Sequence, residues 1–217
     1  MAISRSLKPS KPGRDAVEVV ATVLLAVGAV LTAWCSYQAN RWNGEQTKAT
    51  SRVNGLRVEA ARADGLARTQ SQLDVATFIA WVDAELSDNQ GLADFYAERF
   101  RAEFKPAFQA WMDQDPFNNP SAPSSPFAME EYQLQAQADA ERLDQETTEA
   151  IATVGLNIQR SANYVLGVVL FAAAMFFAAM GTRLQSPALR KVLVGVACAL
   201  FLTSLVWVAS FPVSFSV

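Results

Sequence analysis

AVEVVATVLLAVGAVLTAWCSYQANRWNGEQTKATSRVNGLRVEAARADGLA, residues Ala16–Ala67, decides the fold. It begins apolar, turns polar after Tyr37, and contains no proline. Ala16–Tyr37 is long enough to cross ~30 Å of hydrocarbon as a helix. Nothing then stops that helix, so residues 38–67 are predicted to continue it as a stalk. A cleaved signal peptide is the competing reading, because Arg5, Lys8, Lys11 and Arg14 precede the apolar run. Bulky Trp34 stands where a cleavage site needs a small residue, and it also precedes Cys35, which rules out a lipoprotein signal. The stretch is predicted to stay as an anchor.

Two more dense apolar blocks follow, Tyr164–Met180 and Val192–Phe211. The predicted fold is an all-α membrane protein with three transmembrane helices, 16–37, 164–180 and 192–212. Two of them are expected to run on into long antiparallel extracytoplasmic helices that form a helical bundle or stalk. Charge orients the chain. The tail 1–15 and the loop 181–191 are short and basic, whereas residues 38–163 carry 11 basic and 19 acidic side chains. Lys and Arg in short loops stay on the cytoplasmic side. The N-terminus is therefore predicted inside, with residues 38–163 and the tail 213–217 outside. Cys35 and Cys198 fall at different depths of different spans, which argues against a disulfide.

Two polar features stand out around the first span. Glu18 lies in its first turn. It reads either as a snorkelling carboxylate paired with Arg14 or as an intramembrane group on an ion path. At the other end Trp34, Tyr37 and Trp42 mark an interfacial aromatic belt. Gln38, Asn40, Arg41, Asn43, Glu45 and Gln46 surround them. This collar is either solvated belt polarity or a pore mouth or headgroup site.

Beyond the collar, Ala39, Trp42, Gln46, Ala49, Val53, Leu56, Ala60, Ala63 and Ala67 alternate three and four apart, the spacing of a coiled-coil seam. Gly55 and Gly65 interrupt good helix formers, at about 1 kcal/mol each relative to alanine, unless close packing needs them. Residues 69–86 keep a helical period with a changed phase, on one face made by Val75, Phe78, Ile79, Val82 and Leu86. Thr69–Gln72 reads equally as a turn or as a stutter in one helix. Ser87 and Gln90 look like a capping box. Leu92, Tyr96, Phe100, Phe104, Phe108 and Trp111 form an apolar face that Pro106 should kink or restart. The proline-rich loop 114–127 is expected to be pinned by Phe117 and Phe127. Its Asp113, Asp115, Asn118 and Asn119 are hard-cation donors in type, at a spacing unlike an EF-hand, and no metal is assigned. From about Ala128 a second long helix carries the matching seam Ala136, Ala140, Leu143, Thr147, Ala150, Val154, Asn157 and Ser161.

The runs Tyr37–Gln46, Phe104–Phe108, Asp115–Pro120 and Ser125–Met129 resemble those of a family of uncharacterised bacterial three-span inner-membrane proteins with a helical extracytoplasmic domain. The resemblance covers most of residues 16–180. It implies a bacterial inner membrane and three spans, and it supplies no catalytic residues.

Little chemistry is on offer. The chain has no histidine, so His-based acid–base catalysis and His-ligated zinc are excluded. No phosphate-cradling glycine loop or nucleophile elbow occurs. No cofactor is expected, and an acidic outward domain is the wrong sign for nucleic acid. The expected partners are the lipid bilayer and either further copies of the chain or another envelope protein. A non-enzymatic scaffold or accessory subunit fits best. A pore using Glu18 and the collar 38–46, or a sensor module without its own output domain, are the alternatives.

Overall fold

The computed structural model describes residues 16–214. The basic tail read at 1–15 and residues 215–217 lie outside the described residues. Five α-helices account for most of the chain: α1 (Ala16–Leu86), α2 (Gln90–Arg99), α3 (Lys105–Met112), α4 (Gln135–Arg183) and α5 (Pro187–Ala209). A 3-10 turn spans Pro126–Ala128, and no strand occurs among the described residues. α1, α4 and α5 are long and apolar enough to cross a membrane. Only 11% of the most apolar window of α1 is buried, and 28% of those of α4 and α5. In water such exposure of valine and leucine would be strongly unfavourable. Hydrocarbon removes that cost, which marks the chain as a membrane protein.

The chain divides into two compact units, Met1–Lys48 with Thr153–Val217, and Ala49–Ala152. In the first unit α1 buries every seventh residue, Ala21, Gly28, Cys35 and Trp42. α4 answers with Tyr164, Gly167, Phe171, Ala174, Ala178 and Gly181. A Cβ would crowd a neighbour at all three of these glycines, and two of them show the close approach plainly. A Cβ on Gly167 would stand 2.9 Å from Val208 Cγ2 of α5 and 3.3 Å from Cys35 Sγ of α1, and one on Gly181 would stand 2.8 Å from Val194 Cγ2. Helix backbones in a membrane approach closely where side chains are smallest. Both cysteines are free, Cys35 buried and Cys198 half-buried.

In the second unit the seam residues Val53, Ala60, Ala67, Asp74 and Trp81 are buried, again seven apart. Thr69–Gln72 is neither a turn nor a stutter: α1 is continuous and its phase does not change. Polar Gln70 and Asp74 occupy seam positions and hide the repeat. Val75, Ile79 and Leu86 consequently face away from the core, at 38%, 61% and 71% exposure. The helix start after α1 also differs from expectation. Asn89, not Ser87, is the N-cap of α2, accepting from the Leu92 N–H. Asp88 adopts a left-handed φ of 54° in the turn before it. Pro106 restarts the chain as α3, in the first turn where its missing N–H costs nothing. α4 begins at Gln135 rather than near Ala128, since Pro126 nucleates only a 3-10 turn.

Aromatic rings fill the core of this unit. Phe78, Trp81, Phe100, Phe104, Phe108, Trp111 and Phe127 meet mostly edge to face, with centroids 4.8–6.4 Å apart. Such pairs add about 0.5–1.5 kcal/mol each beyond area burial. The proline-rich loop is held by Phe127, which stacks on Phe104 at 5.2 Å, and by Trp111, whose indole N–H donates to Pro123 O at 2.7 Å. Phe117 contributes its ring contacts to Trp81 and Trp111 while remaining half-exposed.

Candidate functional site

The collar residues separate by face of α1. Gln38 turns inward and is buried. Its Oε1 accepts from the Ser214 N–H at 3.0 Å, and its Nε2 donates to Ser214 O at 3.5 Å. Tyr164, also buried, donates to Pro212 O at 3.1 Å and packs edge-on against Phe211. Trp42 is buried beneath the Arg160 guanidinium, 4.6 Å from ring centroid to Cζ, a cation–π contact. Ser161 donates to Ala39 O at 3.1 Å and lies 3.0 Å from Asn43 Oδ1. Asn40 is exposed, Arg41 half-buried, and Glu45 pairs with Lys48 at 2.9 Å. Glu18 is exposed on α1, 20 residues from Gln38, or about 30 Å along a helix. The structure therefore does not bring Glu18 and the collar together within one chain.

The seam residues are placed as helix contacts, with graded burial. Val53, Ala60, Leu143 and Ala150 are buried, whereas Ala49, Leu56, Ala63 and Val154 are half-buried. Around Gly55 and Gly65 a Cβ would meet nothing within 4 Å, so close packing within the chain is not their reason.

A second cluster was not visible in the sequence. Asp74 is 1% exposed. Its Oδ2 accepts from Arg101 Nη1 at 2.7 Å and from the Tyr132 hydroxyl at 3.2 Å. Arg101 also binds Glu103, whose other oxygen accepts from the Gln135 N–H at 3.2 Å and so caps the start of α4. Asp74 Oδ1 is buried with no hydrogen-bond partner among the described residues. Burial pushes the Asp74 carboxyl above the usual carboxylate range, against the opposing pull of Arg101 and Tyr132. Burial and the neighbouring Asp74 push Tyr132 up as well. The only hint in the sequence was an acid on the seam period, which the apolar pattern disguised.

Ser71 and Tyr132 also border a groove of about 570 Å³. Ala60, Ala67 and Ala140 line it together with Arg57, Asp64, Arg68 and Glu141. The loop donors form turns instead of a metal cage: Asn118 Nδ2 donates to Asp115 Oδ1 at 2.9 Å, and Asn119 Nδ2 to Gln114 O at 3.0 Å. No cluster of three acid, histidine or cysteine side chains suited to a metal occurs among the described residues. No family model, curated protein or solved structure matches the chain.

Proposed function

We propose that this chain is a non-enzymatic integral membrane protein. It acts as an oligomeric structural, scaffold or accessory subunit through residues 38–163. One observation carries this reading. Val75, Ile79 and Leu86 lie four and seven residues apart on α1 and are exposed, while the opposite side of the same helix is locked by Asp74, Trp81 and Ala84 into an aromatic core. A rigid helix presenting aliphatic side chains to water is a contact surface in want of a partner. The charge distribution and the three apolar helices support a bacterial inner-membrane setting, with α1 and α4 antiparallel, the N-terminus cytoplasmic and residues 38–163 extracytoplasmic. Measuring the mass of the protein in native-like lipid tests the reading. A stable oligomer or a co-purifying envelope protein is expected. A monomer that no crosslinker joins to anything would overturn it.

The groove bordered by Tyr132 favours a second reading, as a sensor module. A ligand there would lie one hydrogen bond from Asp74 and two from Arg101, which reaches Glu103 at the start of α4. Under this reading Tyr132→Phe alters the response of a signalling partner without loss of helix content. The pore reading is not adopted, because Gln38 and Trp42 are buried within the chain and Glu18 lies far from them along α1.

A further inference from the structure

A cavity of about 420 Å³ lies where α1 begins and the turn between α4 and α5 closes. Ala16, Val17 and Leu184 give it apolar walls, and Gln185, Arg190 and Lys191 give it polar ones. Arg190 is half-buried, and Lys191 is exposed and forms no ion pair among the described residues. α5 starts at Pro187, and its N-cap Ser186 makes no side-chain capping bond, so the positive end of this 23-residue helix is left uncovered by its own cap. Glu18, in the first turn of α1, is not one of the walls. Two cations, an amide and a helix N-terminus thus converge on a space whose other side is aliphatic.

All three helices that meet here are apolar enough to cross a membrane. The cavity therefore lies at the level where a span leaves hydrocarbon, flanked on α5 by exposed Leu189 and Val192. We infer that it is a binding site for the headgroup phosphate of an anionic phospholipid. Arg190 and Lys191 pair with the phosphate, Gln185 donates to the headgroup, and the acyl chains run along the aliphatic wall. Basic recesses between membrane helices hold anionic headgroups by this combination of charge and apolar contact. A free anion would use the cations but gain nothing from Val17 and Leu184. A zwitterionic lipid would bring a positive group towards Arg190 and Lys191.

The test is native mass spectrometry of the full chain in neutral detergent, titrated with phosphatidylglycerol, phosphatidylcholine or inorganic phosphate. Phosphatidylglycerol is expected to bind more tightly than phosphatidylcholine. Lys191→Gln, at an exposed position that does not threaten folding, should weaken it about fivefold, and Arg190→Gln with Lys191→Gln about thirtyfold. Arg183→Gln removes a charge from the same end of the molecule but outside the cavity, and should leave binding unchanged. The site is refuted if the double variant retains phosphatidylglycerol as wild type does. Equal loss in Arg183→Gln would replace it with diffuse surface charge, and displacement of lipid by inorganic phosphate would replace it with a small-anion site.

Discussion

Gln38 and Ser214, 176 positions apart in the chain, exchange two hydrogen bonds. The carboxamide of one copies the N–H and C=O of a neighbouring strand and so satisfies both main-chain groups of the other. Both residues are buried, where an unpaired amide costs roughly 1–3 kcal/mol. The segment after α5 is thereby tied to α1, while the Tyr164 hydroxyl ties it to α4 through Pro212.

Gln38→Leu keeps the bulk and removes both bonds. We expect a loss of about 1–3 kcal/mol in thermal unfolding in detergent, together with faster hydrogen exchange at the Ser214 amide. A Ser214 amide that exchanges equally slowly in wild type and variant would show that the clasp does not hold the segment.

Two glycine substitutions should move stability in opposite directions. Gly167→Ala drives a methyl towards Val208 and Cys35 and should cost about 1–3 kcal/mol through overpacking. Gly55→Ala meets nothing and should stabilise the exposed helix by up to about 1 kcal/mol. Melting temperatures of the two variants check both signs. Destabilisation by Gly55→Ala would mean that a partner packs on that face.

The long-range features were legible where physics is periodic. Apolar length revealed the three helices long and apolar enough to cross a membrane, and the three–four spacing revealed both seams up to Ala67 and from Ala136. Beyond Ala67 the seam runs through Gln70 and Asp74, while the apolar residues Val75, Ile79 and Leu86 mark a face that the core does not use. Asp74 belongs at a seam position only because Arg101 and Tyr132 arrive from distant segments to meet it. Gln38 was legible as a polar residue at an interface, but not as the holder of Ser214. Such pairings depend on which turns bring segments together, and no local pattern encodes that.

Burial grades the seam energetically. Leu56 is half-buried, so Leu56→Ala should cost about 1–2 kcal/mol, less than the 2–5 of a fully enclosed leucine. Phe104, fully buried among Phe78, Phe100 and Phe127, should cost about 3–5 kcal/mol as alanine. Denaturant midpoints in detergent decide. Equal losses would mean that Leu56 is covered by something other than this chain.

Asp74 should shape the pH dependence. Its carboxyl titrates above the ordinary range in the folded protein, chiefly because of burial, so the folded state holds the proton more tightly than the unfolded one. The resulting stabilisation is fully present below the unfolded value of 3.8. It is lost as pH rises through the raised folded value. Wild type should therefore gain stability relative to Asp74→Asn as the solution is acidified, measured by unfolding at a series of pH values. The opposite slope would mean that the Arg101 pair outweighs burial.

The most direct test of the contact surface is photo-crosslinking from α1 in intact membranes, with a photoreactive amino acid in place of Ile79 and, in a second variant, in place of Arg62, an exposed polar position on the same helix. Position 79 should give a discrete adduct, to a second copy or to one envelope protein, that disappears when Val75 and Leu86 are changed to serine, while position 62 should give none. Adducts of equal yield at both positions, or none at position 79, would contradict an interaction role for this face.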